Sequence, residues 1–135
     1  MCKELVGEMK TFLFFLGGLK SASKTKKRFL MAKSSKSVVN FLRFLQREGF
    51  IYTFALEGSF VRVHLKYKGN GEGFFDDLEI YSKGSKKVYW NVEKCSFIRK
   101  HSSSMIVLST SQGLLFAHEA HRRHIGGMVL CSFNI

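Results

Sequence analysis

At Gly49 the spacing of apolar residues changes from that of a helix to that of a strand, and this change restricts the chain to a mixed architecture. Upstream, Val38, Phe41, Leu42 and Leu45 recur at i, i+3, i+4 and i+7, which lines one side of a helix with apolar groups. Ser34 or Ser35 can cap it by offering a side-chain oxygen to the orphan N–H groups of the first turn. Gly49, after Arg47 and Glu48, suits the left-handed position that ends a helix. Downstream, Phe50 to Leu56 is rich in strand formers, and Glu57-Gly58-Ser59 suits a tight connection. Val61, Val63, Leu65 and Tyr67 then alternate with Arg62, His64 and Lys66. That period of two marks a strand with one buried face and one wet, basic face. Gly69-Asn70-Gly71 turns the chain, and Phe74 to Tyr81 is expected as a third strand with Leu78 and Ile80 inward. A helix followed by an antiparallel meander makes an α+β unit.

A second unit is expected from Ser82 onward. Lys86 to Trp90 suits a strand, Val92 to Lys100 a short helix, and Met105 to Ser109 another strand. After a turn at Thr110 to Gly113 come Leu114 and Leu115, a short helix over Ala117 to His124, and the pair Gly126-Gly127. Met128 to Phe133 closes the chain as a strand. The expected fold is therefore α+β: two small units packed together, residues 1–81 and 82–135, with antiparallel or mixed sheets and short helices. Ahead of both, the apolar run Phe12 to Leu19 is far shorter than the ~20 residues of a membrane-spanning helix. It contains Gly17 and Gly18, and Glu4 and Glu8 sit among the lysines before it, unlike a secretory signal. It is expected to be a buried N-terminal helix, with an organellar targeting segment as the alternative. The cationic stretch Lys20 to Lys36 suits either a loop or a short strand over Phe29 to Ala32.

Charge narrows the function. Lys and Arg total 22 against 10 Asp and Glu, leaving +12 on a chain of 135 residues. A compact body with that charge repels itself, so an anionic partner is the natural reason to keep it. Nucleic acid leads, an anionic membrane surface is second, and a merely soluble basic protein is third. Cys2, Cys95 and Cys131 are odd in number, widely spaced and form no CxxC pair, which fits free thiols and not a zinc ribbon. The absence of proline and the presence of 14 phenylalanines are the skew of genes under A/T pressure, as in organelle genomes.

Catalytic patterns are weak. His118, Glu119, His121 and His124 invite a metal reading, but a zincin pair needs histidines four apart with the glutamate beside the first. The histidines here step by three, and Arg122 and Arg123 would oppose a cation, so a basic helix face is the better account. There is no GxSxG elbow, no cysteine beside a histidine, and no phosphate-cradling glycine pattern. Asp76 and Asp77, as strand neighbours, would point to opposite faces. No enzyme, no cofactor and no metal are expected.

The segment Ser109-Thr110-Ser111-Gln112-Gly113 is different. Small hydroxyl side chains and a glycine on a turn can come close to a nucleic-acid backbone and donate to phosphate, 2′-OH or base edges. An ordinary serine-rich turn is the competing reading. Gly126 and Gly127 could similarly let the main chain lie against sugar.

Ser109 to Cys131, STSQGLLFAHEAHRRHIGGMVLC, resembles the C-terminal signature of the eighth small-subunit ribosomal protein family. There a Ser-Thr-Ser-x-Gly turn leads through a short helix to Gly-Gly and a last strand. Lys33 to Ile51, KSSKSVVNFLRFLQREGFI, is similar to that family's capped helix ending in Glu-Gly-Phe-Ile. Leu65-Lys66-Tyr67, Ser82-Lys83 and Val88-Tyr89 fall between them in family order. The resemblance implies two α+β units and binding to the central domain of small-subunit rRNA, mostly by the C-terminal unit. Carried over, Ser109, Thr110, Ser111, Gln112 and Gly113 would form the RNA-binding turn, with Gly126 and Gly127 close to sugar. Lys33, Ser34, Lys36, Lys83, Lys87 and Tyr89 occupy matching positions on the RNA-facing side. Neighbouring small-subunit proteins are the other implied partners, with no membrane and no small-molecule substrate.

The chain departs from the family at several of these places. Met128 follows Gly-Gly where a glutamate is usual, Ser132 replaces a tyrosine, and Gln112 replaces a basic residue of the turn. Gly84-Ser85 stand for a Pro-Gly pair, and Phe12 and Phe14 lie where the family has arginines. Such drift suits an organellar, mitochondrial ribosome, with plastid or bacterial cytoplasm as alternatives. A translational regulator that binds an mRNA hairpin, and a small hydrolase built on the His118 to His124 cluster, are the competing functions.

Overall fold

In the computed structural model, which describes residues 2–81, 88–91, 93 and 104–134, every sheet pairing is antiparallel. The elements run α1 (Cys2–Lys24), β1 (Phe29–Lys33), α2 (Lys36–Glu48), β2 (Ile51–Glu57), β3 (Phe60–Leu65), β4 (Glu79–Ile80), β5 (Tyr89–Trp90), β6 (Ser104–Thr110), β7 (Gly113–Phe116), α3 (Ala117–Arg122) and β8 (Gly127–Asn134). They fall into two units, Met1–Asp77 and Leu78–Ile135. Helices and antiparallel sheets together give the expected α+β class.

In the first unit β3 lies between β1 and β2. Leu30, Val63 and Phe54 form one cross-strand row and Ala32, Val61 and Leu56 the next, so the apolar alternation turns to one face. α1 packs on β1, α2 on β2, and the helices pack on each other. Phe41 lies at the centre, fully buried, with the edges of Phe12 and Phe15 at centroid distances of 5.2 and 6.1 Å. Burying such a ring contributes about 1.5–3 kcal/mol. α1 continues through Gly17 and Gly18 because Phe12, Phe15, Leu16, Leu19 and Ala22 bury one stripe, and packing outweighs the weak helix propensity of glycine. α2 is capped by Ser35, whose Oγ accepts from Val38 N–H at 3.2 Å, and it ends at left-handed Gly49.

The third strand expected over Phe74 to Tyr81 is not there: residues 74–77 form a turn, and only Glu79–Ile80 is strand. The Asp76 carboxylate closes that turn, accepting from Gly73 N–H at 3.1 Å and from Ser23 Oγ at 2.7 Å, beside Lys26 Nζ at 3.3 Å. The alternating strand ends at Leu65; the Tyr67 hydroxyl instead donates to the Lys27 carbonyl.

In the second unit β8 pairs with β6 on one edge and with β4 and β5 on the other, and β7 pairs with β6. Ile106, Leu108, Leu115, Val129, Ala117 and Ala120 form a core onto which Trp90 and Ile125 pack. The helix expected to reach His124 stops at Arg122. His124 adopts φ 58, so Ile125 N–H can bond back to Ala120 O and His124 N–H to His121 O, both at 3.0 Å. This Schellman closure reverses the chain and delivers Ile125 to the core. Apart from Glu93, which is helical, the expected helix over Val92 to Lys100 lies outside the described residues.

Candidate nucleic-acid interface

The Ser109–Gly113 segment is the tip of the β6–β7 hairpin. Thr110 pairs with Gly113, leaving Ser111 and Gln112 as the exposed connection. Gly113 sits at φ 96, a conformation that glycine adopts without steric cost. Thr110 Oγ1 accepts from Gln112 N–H at 3.1 Å and donates to Gly113 O at 2.8 Å. Its hydroxyl therefore shapes the turn from within. Ser109 and Ser111 make no side-chain hydrogen bond among the described residues, which leaves their hydroxyls able to donate outward.

Tyr89, Met128, Ser109 and Leu114 form one row across β5, β8, β6 and β7. Opposed residues share a face, so exposed Tyr89 and half-buried Ser109 lie on the same side, about 10 Å apart at the usual strand spacing. The glycine pair keeps this row closed. A Cβ on Gly126 would lie 2.4 Å from the Trp90 carbonyl oxygen, and one on Gly127 2.5 Å from that of Ser109. The chain's own backbone therefore requires both glycines.

Beside the turn stand Arg122, the last residue of α3, and Arg123, which caps it. The Glu119 carboxylate accepts from Arg122 Nη2 at 2.7 Å and from Arg123 Nε at 3.1 Å. Arg123 Nη1 also donates to Gln112 Oε1 at 3.0 Å, tying helix to turn. The hydrogen bond from Arg122, followed by that from Arg123, holds the Glu119 carboxyl below its usual range.

In the first unit Lys33 ends β1, Ser34 N–H is anchored to Ser59 O at 2.9 Å, and Lys36 opens α2. Ser34, Ser35 and Lys36 line an open cleft with Val39, Asn40 and Arg43. Lys36 and Arg43, with Asn40 between them, stand at i, i+4 and i+7, and no acidic residue occupies the first turn of α2. A polar cleft with cations at a helix N-terminus suits phosphate.

A family model described as Ribosomal protein S8 matches residues 14–133, which includes the hairpin, the glycine pair and the capped helix. The chain belongs to the ribosomal protein S8 family. Among curated relatives named small ribosomal subunit protein uS8, the one from Mesomycoplasma hyopneumoniae is 32% identical over 115 residues, 83% of this chain and 86% of the relative. That from Rubrobacter xylanophilus is 35% identical over 101 residues, 72% and 76% of the two chains, and that from Helicobacter pylori 31% over 118 residues, 84% and 89%.

For this S8-family chain, Lys83 and Lys87 lie outside the described residues. Asn40 and Arg43 lie outside the set expected from the sequence, although their helical spacing from Lys36 is a usable signal. Outside it too are the rings that accompany the cations on the outer face of the first sheet. Arg62 lies 5.2 Å above Phe29 and Lys66 5.7 Å above Tyr52, and Phe29, Met31, Tyr52 and Phe60 are exposed. Among the described residues of the second unit, His118 stacks on Phe116, and the His121 and His124 rings are 6.4 Å apart. Among the described residues no helix is long and apolar enough to cross a membrane.

Proposed function

We propose that the protein is a structural constituent of the small ribosomal subunit, holding the central domain of small-subunit rRNA and supporting subunit assembly and translation. Membership of the ribosomal protein S8 family over residues 14–133 is the observation that carries this reading. The net charge of +12 supplies the sequence-independent attraction to RNA. The protein is no enzyme and works by holding folded RNA without cofactor or small-molecule substrate.

The geometry of the hairpin tip and of the start of α2 supports the following set of contact residues. Ser109, Ser111, Gln112 and Gly113 present the hairpin tip to the RNA backbone, and Thr110 holds the tip in shape. Tyr89 offers an exposed ring on the same face. Gly126 and Gly127 keep the strands close enough to form that face. Lys33, Ser34 and Lys36 take a second stretch of phosphate at the start of α2, and Lys83 and Lys87 add cations from the matching family positions. The C-terminal unit, residues 82–135, carries the larger share of base and sugar contacts, and residues 1–81 the smaller. Neighbouring small-subunit proteins are the remaining partners.

The ribosome concerned is mitochondrial in this reading. The proline-free, phenylalanine-rich composition and the replaced family residues at Gln112 and Met128 support that assignment.

Affinity for a transcribed central-domain fragment, measured by fluorescence anisotropy across salt concentrations, tests the function. Log K falls with log salt by roughly 0.7–0.9 for each phosphate contacted. Binding to that fragment no tighter than to an unrelated hairpin, or insensitive to salt, would refute it.

A further inference from the structure

From Leu108 to Ala117 the chain carries no charged side chain, so the hairpin tip holds hydroxyls and amides but no cation of its own. A tip that grips RNA gains most of its affinity from neutralising phosphate. The structure brings a cation there from elsewhere: Arg123, eleven residues beyond Gln112, donates to its Oε1 at 3.0 Å.

We propose that Arg123 and the Ser111–Gln112 tip form a phosphate-binding site, with the charge supplied by α3 and the hydroxyl by the turn. This rests on the rRNA-binding reading. Glu119 and Gln112 are its positioning residues: one fixes the guanidinium at Nε, the other at Nη1. A guanidinium has five N–H donors, and those two bonds use two of them. The remaining Nη hydrogens can meet a phosphate as a fork.

Charge and exposure agree with that role. Glu119 is one carboxylate facing two guanidiniums, so the cluster keeps one positive charge. The Arg123 side chain is 45% exposed, and an ion pair that wet adds little to folding. Stability is thus a poor reason for a three-residue link between helix and hairpin tip. Arg122 pairs with the same carboxylate but has no bond to the turn among the described residues, and its side chain is 75% exposed.

The test is anisotropy with the central-domain rRNA fragment on the full-length chain, with melting temperature as the folding control. Arg123→Gln should weaken binding by about fivefold to tenfold and shrink the salt slope by ~0.7–0.9, one phosphate contact. Adding Gln112→Arg to Arg123→Gln should restore both, because the cation returns to the tip. Gln112→Ala should weaken binding yet keep the slope, since the charge remains and only its placement is lost. Wild-type affinity and slope in Arg123→Gln would overturn this site and leave the rRNA reading standing. Failure of the wild-type chain itself to bind the fragment would remove both.

Discussion

Thr110 Oγ1 donates to Gly113 O at 2.8 Å and accepts from Gln112 N–H at 3.1 Å, so one hydroxyl closes the turn that carries the others. This separates a shaping residue from contact residues within one short motif. Thr110→Ser keeps both bonds and should bind RNA like the wild type. Thr110→Val removes them, should cost about 0.5–1.5 kcal/mol of stability, and should weaken RNA binding by loosening the tip. Ser111→Ala should weaken binding with no change in melting temperature. Equal binding by Thr110→Val and the wild type would show that the turn does not need this lock.

His124 occupies the left-handed position that closes α3, at φ 58. A side chain there costs roughly 1–2 kcal/mol that glycine avoids. His124→Gly should therefore raise the melting temperature, whereas Gly126→Ala should lower it, because the new Cβ would meet the Trp90 carbonyl oxygen 2.4 Å away. Thermal unfolding by circular dichroism reads both, and shifts of the same sign would contradict the geometry.

Asp76 makes the first unit sensitive to acid. Partial burial pushes its carboxyl up, but the Ser23 hydroxyl, Gly73 N–H and Lys26 ammonium outweigh that and hold it below the ordinary value. A depressed folded value means that the stabilisation is present above the unfolded carboxylate value, about 3.9, and is lost as pH falls through the folded one. Asp76→Asn should flatten the part of the acid decline that begins as pH falls towards the unfolded carboxylate value, about 3.9, and continues below it. An unchanged acid profile in that variant would show that other carboxylates set it.

Phe41→Ala should cost about 3–5 kcal/mol, since it empties the centre of the first unit. Urea unfolding measures it, and a loss below 1 kcal/mol would mean that Phe12 and Phe15 collapse into the space.

Local signals made much of this legible. α2 announced itself through its cap, its stripe and Gly49, all within one stretch of chain, and β3 through strict alternation. The sequence misled at residues 74–77, where strand-forming composition is overruled by Asp76 bonding to Ser23, a partner 53 residues away. His124 resembles its helical neighbours in the sequence, and only the packing of Ile125 against the core turns it left-handed. At the candidate site the hydroxyl turn was visible, but the division of labour among its hydroxyls was not. Arg123 was visible as part of a basic helix face, but its link to Gln112 was not, since that exists only once the hairpin and α3 have folded back on each other.

The most direct test of the central claim is a sucrose-gradient profile of cell or organelle lysate, probed for this protein at moderate and high salt. The account predicts co-migration with the small subunit that survives the salt wash. Recovery only at the top of the gradient would contradict it and favour an RNA-binding regulator outside the ribosome.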